Sequence, residues 1–297
     1  MSIKNSLLDV LRGVVMGVAN IIPGVSGGTM AVSMGIYDRI IRDANEVFKK
    51  FKKSILDLLP ILAGILIGLF AFAAVIGKLL GTDMDTIPLT RLPTNFAFIG
   101  LILGGLPAIF RSVDMKKAGA KGVLLFVVFF IIVAGLPLLT KPEAKEAGHS
   151  IGMALLMIPL GAIASATMVI PGVSGSMILM LLGYYQAVIN SMNELRSGDF
   201  SALVILLPYL VGLLIGIVSI AKLMNFLLKK YPAYTFCAIF GLVIGSPVPL
   251  LLQNRDCFSL VTPGNAVACV LCLAAGFLIA WLMSRLDAKT AKDGKME

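Results

Sequence analysis

The chain has 297 residues, of which 58% are hydrophobic and only 14% charged, and its mean hydropathy is +0.97. Ordinary soluble domains are about one quarter charged, so this composition excludes a soluble enzyme and a disordered chain and fits a polytopic membrane protein. The net charge of +9 is scattered in patches between apolar runs rather than gathered on one polar face. That excludes a nucleic-acid reader and makes the anionic face of a membrane the expected partner.

In chain order, the first apolar stretch is interrupted by Asp9 and Arg12 and lacks the pattern of a signal peptide, so Met1 is expected in the mature chain. It belongs to a long segment, 7–38, broken by Pro23-Gly24-Val25-Ser26-Gly27. Three ordinary apolar runs follow at 54–77, 93–110 and 122–139. A second long segment, 153–190, is broken by Pro171-Gly172-Val173-Ser174-Gly175, and three more runs follow at 203–228, 232–252 and 263–284. Runs of about 20 apolar residues are what a ~30 Å hydrocarbon layer requires. Residues 285–297 form a charged tail.

The two broken segments are copies at an offset of 148, which also pairs Gly13 with Gly161, Gly35 with Gly183 and Tyr37 with Tyr185. Farther along, an offset of 141 pairs Gly100 and Gly104 with Gly241 and Gly245. The expected architecture is all-α, with repeats at 1–140 and 150–284. Pro-Gly and Gly-Gly interrupt helices, so each long segment either crosses once as a broken helix or dips in and returns as a hairpin of two half-helices. Re-entrant hairpins with a cytoplasmic N-terminus put 19 of the 25 Lys and Arg inside, whereas crossing segments put 13 inside. The positive-inside rule favours hairpins. With three crossings in each half, the second copy is then inverted relative to the first, a pattern of many secondary transporters.

Non-helical backbone at membrane depth must be buried in protein or line a wet cavity. Second legs over Ser26–Ile40 and Ser174–Ile189, capped by the two serines, would aim free N–H groups at a shared cavity suited to an anion and especially a phosphate. Asn20, Ser26, Thr29, Ser174 and Ser176 would add side-chain hydrogen bonds, and Gly24, Gly27, Gly28, Gly172 and Gly175 would let the ligand approach the backbone. Close helix packing by small residues is the competing explanation, and it is the one adopted for Gly100, Gly104, Gly241 and Gly245. Arg12 and Arg39 flank the first hairpin, and Lys222 lies within an apolar run. Each either attracts an anionic headgroup or serves as an orientation signal or snorkelling cation. Tyr37, Tyr184 and Tyr185 are expected as interfacial anchors.

Little else offers chemistry. Cys237, Cys257, Cys269 and Cys272 make no disulfide framework. Cys269 and Cys272 have metal-like spacing without a second ligand pair, and only Cys257 falls in a polar loop. His149 is the one histidine and lies in a loop, and no carboxylate is expected mid-membrane. No catalytic residue, metal or cofactor is assigned.

Arg12-Gly13, Asn20, Ile22-Pro23-Gly24-Val25-Ser26-Gly27-Gly28-Thr29, Gly35-Ile36-Tyr37 and Arg39 resemble the first signature of the bacterial polyprenyl-phosphate transporter family. Met168 to Ser176 with Leu182-Gly183-Tyr184-Tyr185 resembles its second. The resemblance implies return of undecaprenyl phosphate across the bacterial cytoplasmic membrane for envelope polymers such as peptidoglycan. The phosphate would sit in the polar cavity and the prenyl tail in the bilayer. A transporter of a small soluble anion is the alternative. A membrane undecaprenyl-pyrophosphate phosphatase also carries Pro-Gly-x-Ser, but there Arg follows the Ser and a Glu pair faces it, whereas here Gly27 and Gly175 follow the serines.

Overall fold

The computed structural model describes residues 3–21, 26–47, 49–80, 90–139, 145, 148, 150–259 and 261–293. The expectations for Gly24 and His149 fall outside them. Helices make up the secondary structure of the described residues, and seven described stretches are long and apolar enough to cross a membrane. The chain is a multi-pass helical membrane protein.

The first motif segment forms α1 (Ile3–Ile21), α2 (Gly27–Ser33) and α3 (Tyr37–Glu46), followed by α4 (Phe51–Leu80), α5 (Arg91–Ser112) and α6 (Met115–Gly135). The second forms α7 (Ile151–Val169), α8 (Gly175–Leu182) and α9 (Tyr185–Arg196), followed by α10 (Leu203–Lys230), α11 (Pro232–Gly245), α12 (Pro247–Gln253), α13 (Arg255–Phe258) and α14 (Pro263–Asp293).

Two expectations need correction. The second legs are not continuous from Ser26 to Ile40 or from Ser174 to Ile189, because each stops after two turns. Gly35 (φ +77°) and Gly183 (φ +83°) take the left-handed conformation that ends a helix. The N–H of Ile36 then reaches back to the Ala31 carbonyl, and that of Tyr184 to Leu179. The first legs are also longer than half-helices. α1 and α7 have 19 residues each, about 28 Å at 1.5 Å per residue, and α7 counts among the seven long apolar stretches. The run expected over 232–252 is one of the seven long apolar stretches, and within it α11 gives way to α12 at Ser246-Pro247, since Pro cannot continue the hydrogen-bond ladder.

Four helix pairs carry the packing: α1 with α4, α7 with α10, α5 with α14 and α6 with α11. Glycines set the approach in each. A Cβ on Gly13 would strike the Ile61 carbonyl, on Gly161 that of Tyr209, on Gly100 that of Leu273 and on Gly241 that of Phe126. Small residues at such crossings let backbones touch where no hydrophobic drive separates helix from lipid. α2 is buried along its whole length. Around it Met30, Met34 and Ile36 meet Ile102, Ile239, Val243 and Leu250 in one core. Exposed Leu, Ile, Val and Phe cover the outer faces of α4, α6, α10 and α14, as lipid contact requires.

Candidate functional site

The two motifs, 148 residues apart in sequence, touch each other. Ser26, in extended backbone, caps α2 by accepting from the Gly28 N–H at 3.2 Å and donates its own hydroxyl to the Met168 carbonyl at 3.0 Å. The Gly172 N–H donates to Thr29 Oγ1 at 2.6 Å. Asn20, near the end of α1, accepts from the Gly27 N–H at 2.8 Å through Oδ1. Gly172 has φ +88°, and a Cβ there would also press on the Leu242 carbonyl, so only glycine suits this turn. Ser26, Thr29 and Ser174 are all buried.

Three amides at the junction are therefore already engaged. The N–H groups of Gly27, Gly28 and Gly172 are taken by Asn20, Ser26 and Thr29, as burial away from water demands. Ser174 does not cap α8; its hydroxyl pairs with that of Ser176 at 2.8 Å. Gly175 packs on α7, where a Cβ would come within 2.5 Å of the Ala164 carbonyl. With α2 and α8 only 7 and 8 residues long, the helix dipole adds little. Any anion site here depends on individual donors.

The charged candidates separate. Arg12 Nη1 and Arg39 Nη2 both donate to Asp9 Oδ1, at 3.0 and 2.6 Å, with Asp9 and Arg12 side chains 1% and 3% exposed and Arg39 30% exposed. The trio ties α1 to α3 and carries a net positive charge. Asp9 is the participant that sequence reasoning missed, having been read only as an interruption of an apolar stretch. Its spacing of three from Arg12, one turn of helix, was the available signal, since a carboxylate buried in a membrane protein needs a cation. Lys222, by contrast, is exposed. At 100° per residue it lies on the far side of α10 from Ile220, Met224 and Leu227, apart from the motifs, and suits snorkelling to the interface.

Tyr37 departs from its expected role as an interfacial anchor. It is 5% exposed, and its hydroxyl, buried in the core, has no hydrogen-bond partner among the described residues. The Tyr184 ring is covered by the Lys145 ammonium at 4.8 Å. Cys257 is buried against Leu92 and Cys269 rather than set in an open loop, and no disulfide joins the four cysteines. Among the described residues no cluster of His, Cys, Asp and Glu could hold a metal ion.

Paired helix breaks meeting inside a multi-pass helical bundle, with buried hydroxyls at their contact, place the chain among membrane proteins with an internal polar junction. Residues 16–266 match the VCA0040-like family, described as undecaprenyl phosphate translocase-like, and the chain belongs to that family. A polyprenyl-phosphate transporter of Vibrio cholerae is 31% identical over 317 aligned positions, covering 94% of this chain and 96% of its own. A polyprenyl-phosphate transporter of Staphylococcus aureus is 30% identical over 244, covering 80% of this chain and 84% of its own. No solved structure matches the chain.

Proposed function

We propose that this protein moves undecaprenyl phosphate across the bacterial cytoplasmic membrane for reuse in envelope polymer synthesis, and that the junction of the two motifs holds the phosphate headgroup. The contact of Thr29 with Gly172 and of Ser26 with Met168 is the observation that carries this reading. Asn20, Ser26 and Thr29 hold the amides of Gly27, Gly28 and Gly172. A phosphate entering between the motifs takes over those donors and gains the hydroxyls besides. Without the placeholders each buried amide would cost about 1–3 kcal/mol. Arg12 and Arg39, kept in place by Asp9, supply positive potential on the first motif's side.

The reading includes two re-entrant hairpins entering from opposite faces, with both termini cytoplasmic. Supporting it, α10 packs against both α9 and α3. It follows α9 through the turn at Phe200–Ala202, while Lys229 in its last turn acts electrostatically on Glu46 at the end of α3. One crossing thus joins the bases of the two motif segments. The exchange of partners, in which α5 pairs with α14 and α6 with α11, fits two interlocked copies of one unit. No bond is broken in this function.

Binding to purified protein in lipid nanodiscs tests it. Undecaprenyl phosphate is expected to bind in preference to neutral lipids and to compete with its pyrophosphate, with no phosphate released. Equal binding of inorganic phosphate alone would favour a soluble-anion carrier. Pyrophosphate hydrolysis lost on Ser174→Ala would favour the phosphatase alternative.

A further inference from the structure

A groove of about 640 Å³ opens on the outer surface between α6 and α10, with α11 as its floor. α6 contributes Leu124 and Phe129, α10 Leu223 and Leu227, and α11 Ala238 and Leu242. Thr235 also lines it, but its hydroxyl is spent on the carbonyls of Leu227 and Tyr231 at 3.1 and 2.8 Å, so the walls present hydrocarbon. From Lys121 to Phe129 the groove follows α6 for about 12 Å at 1.5 Å per residue.

Its two ends differ. One is rimmed by Lys121 and Tyr231, and the Lys230 ammonium lies 5.4 Å from the centre of the Tyr231 ring. At the other are Ile170 and Pro171, which directly precede Gly172 and its bond to Thr29. A cationic, aromatic rim continued by an apolar channel complements an amphiphile with an anionic head and a hydrocarbon tail. Ordinary acyl chains need no concave seat and no route to a polar junction.

We propose that this groove is the seat of the prenyl tail of the lipid phosphate, holding its headgroup-proximal stretch while the phosphate passes between the Lys121 rim and the motif junction. This rests on the headgroup reading above. It makes the groove a lateral gate to the bilayer and a determinant of selectivity for prenyl over acyl lipids.

Photocrosslinking tests it without disturbing the fold. Benzoylphenylalanine is placed at Leu124, in the groove and 63% exposed, and as a control at Leu271 of α14, outside the groove and 64% exposed. In phosphatidylglycerol nanodiscs containing undecaprenyl phosphate, the prenyl adduct is expected to be at least fivefold richer at Leu124. Equal yields at the two positions, or phosphatidylglycerol as the main adduct at both, would overturn the proposal. Independently, Ala238→Trp fills the groove and is expected to weaken undecaprenyl phosphate binding at least tenfold while leaving competition by inorganic phosphate unchanged. Unaltered lipid binding by that variant, with binding by the wild type intact, would overturn the groove alone. Failure of the wild type to bind undecaprenyl phosphate would overturn the headgroup reading and the groove with it.

Discussion

Thr29 and Gly172 lie 143 residues apart and are joined by a hydrogen bond of 2.6 Å in which the glycine amide donates to the threonine hydroxyl. Thr29→Val preserves the shape of the side chain and removes the acceptor, leaving a buried N–H unpaired. The expected loss is about 1–3 kcal/mol of stability, read as a lower unfolding temperature in nanodiscs, together with reduced lipid transport in proteoliposomes. Thr29→Ser keeps the acceptor and is expected to retain most of both. A Val variant as stable as the wild type would mean the bond contributes nothing net.

Glycines at the junction differ in what they hold apart. A Cβ on Gly28 would lie 2.8 Å from the Val169 carbonyl and 2.9 Å from that of Met168, both main-chain atoms at the end of α7. A Cβ on Gly27 would meet only the Asn20 amide, at 2.9 Å, which can swing away. Gly28→Ala is therefore expected to push the motifs apart, at the 1–3 kcal/mol typical of about one methyl group of overpacking, and to abolish headgroup binding. Gly27→Ala should cost less and lose the Asn20 cap. Thermal denaturation and undecaprenyl phosphate binding of the two variants, measured side by side, check the order; equal effects would sink this account of the junction.

How much of this was legible in the sequence depends on the length scale of the signal. Long apolar helices declare themselves because every lipid-facing position must be apolar. The repeat stands out because five identical residues recur in order. The ends of α2 and α8 were also written there, in Gly35 and Gly183, yet an apolar run around each glycine looks continuous until its φ is known. The Ser26 cap on the Gly28 amide was legible, but the filling of the Gly27 and Gly172 amides by Asn20 and Thr29 was not, because such side-chain contacts across a helix break depend on rotamers that no spacing encodes. Nor was the groove, which is made by the divergence of α6 from α10 over α11 and leaves no motif in any one of them.

The hairpin reading makes a topological prediction. Lys49 precedes α4 and Ser197 follows α9, and both are exposed. With the hairpins entering from opposite faces, Lys49→Cys is expected to resist a membrane-impermeant maleimide in intact cells, whereas Ser197→Cys reacts. The native cysteines give little background, since Cys237, Cys257 and Cys269 are buried and Cys272 is half-buried. Labelling of both positions from one side would exclude opposite entry.

The last prediction uses a difference between the halves. At the offset of 148, Asp9, Arg12 and Arg39 correspond to Met157, Leu160 and Ala187, which are 0%, 5% and 3% exposed. One copy thus seats an ion trio where the other seats packed hydrocarbon. Asp9→Asn alone leaves the Arg12 guanidinium buried without its carboxylate, and breaking such a pair costs about 3–5 kcal/mol. Replacing a whole buried ion network by apolar residues is instead often neutral, or stabilising by about 1–4 kcal/mol. The triple variant Asp9→Met, Arg12→Leu, Arg39→Ala gives the first half the side chains of the second and is expected to fold and insert at least as well as Asp9→Asn. If the arginines serve the phosphate, it should nevertheless lose undecaprenyl phosphate binding by tenfold or more, because only the positive potential has been removed. A stable triple variant that transports like the wild type would reduce the trio to a structural clasp between α1 and α3.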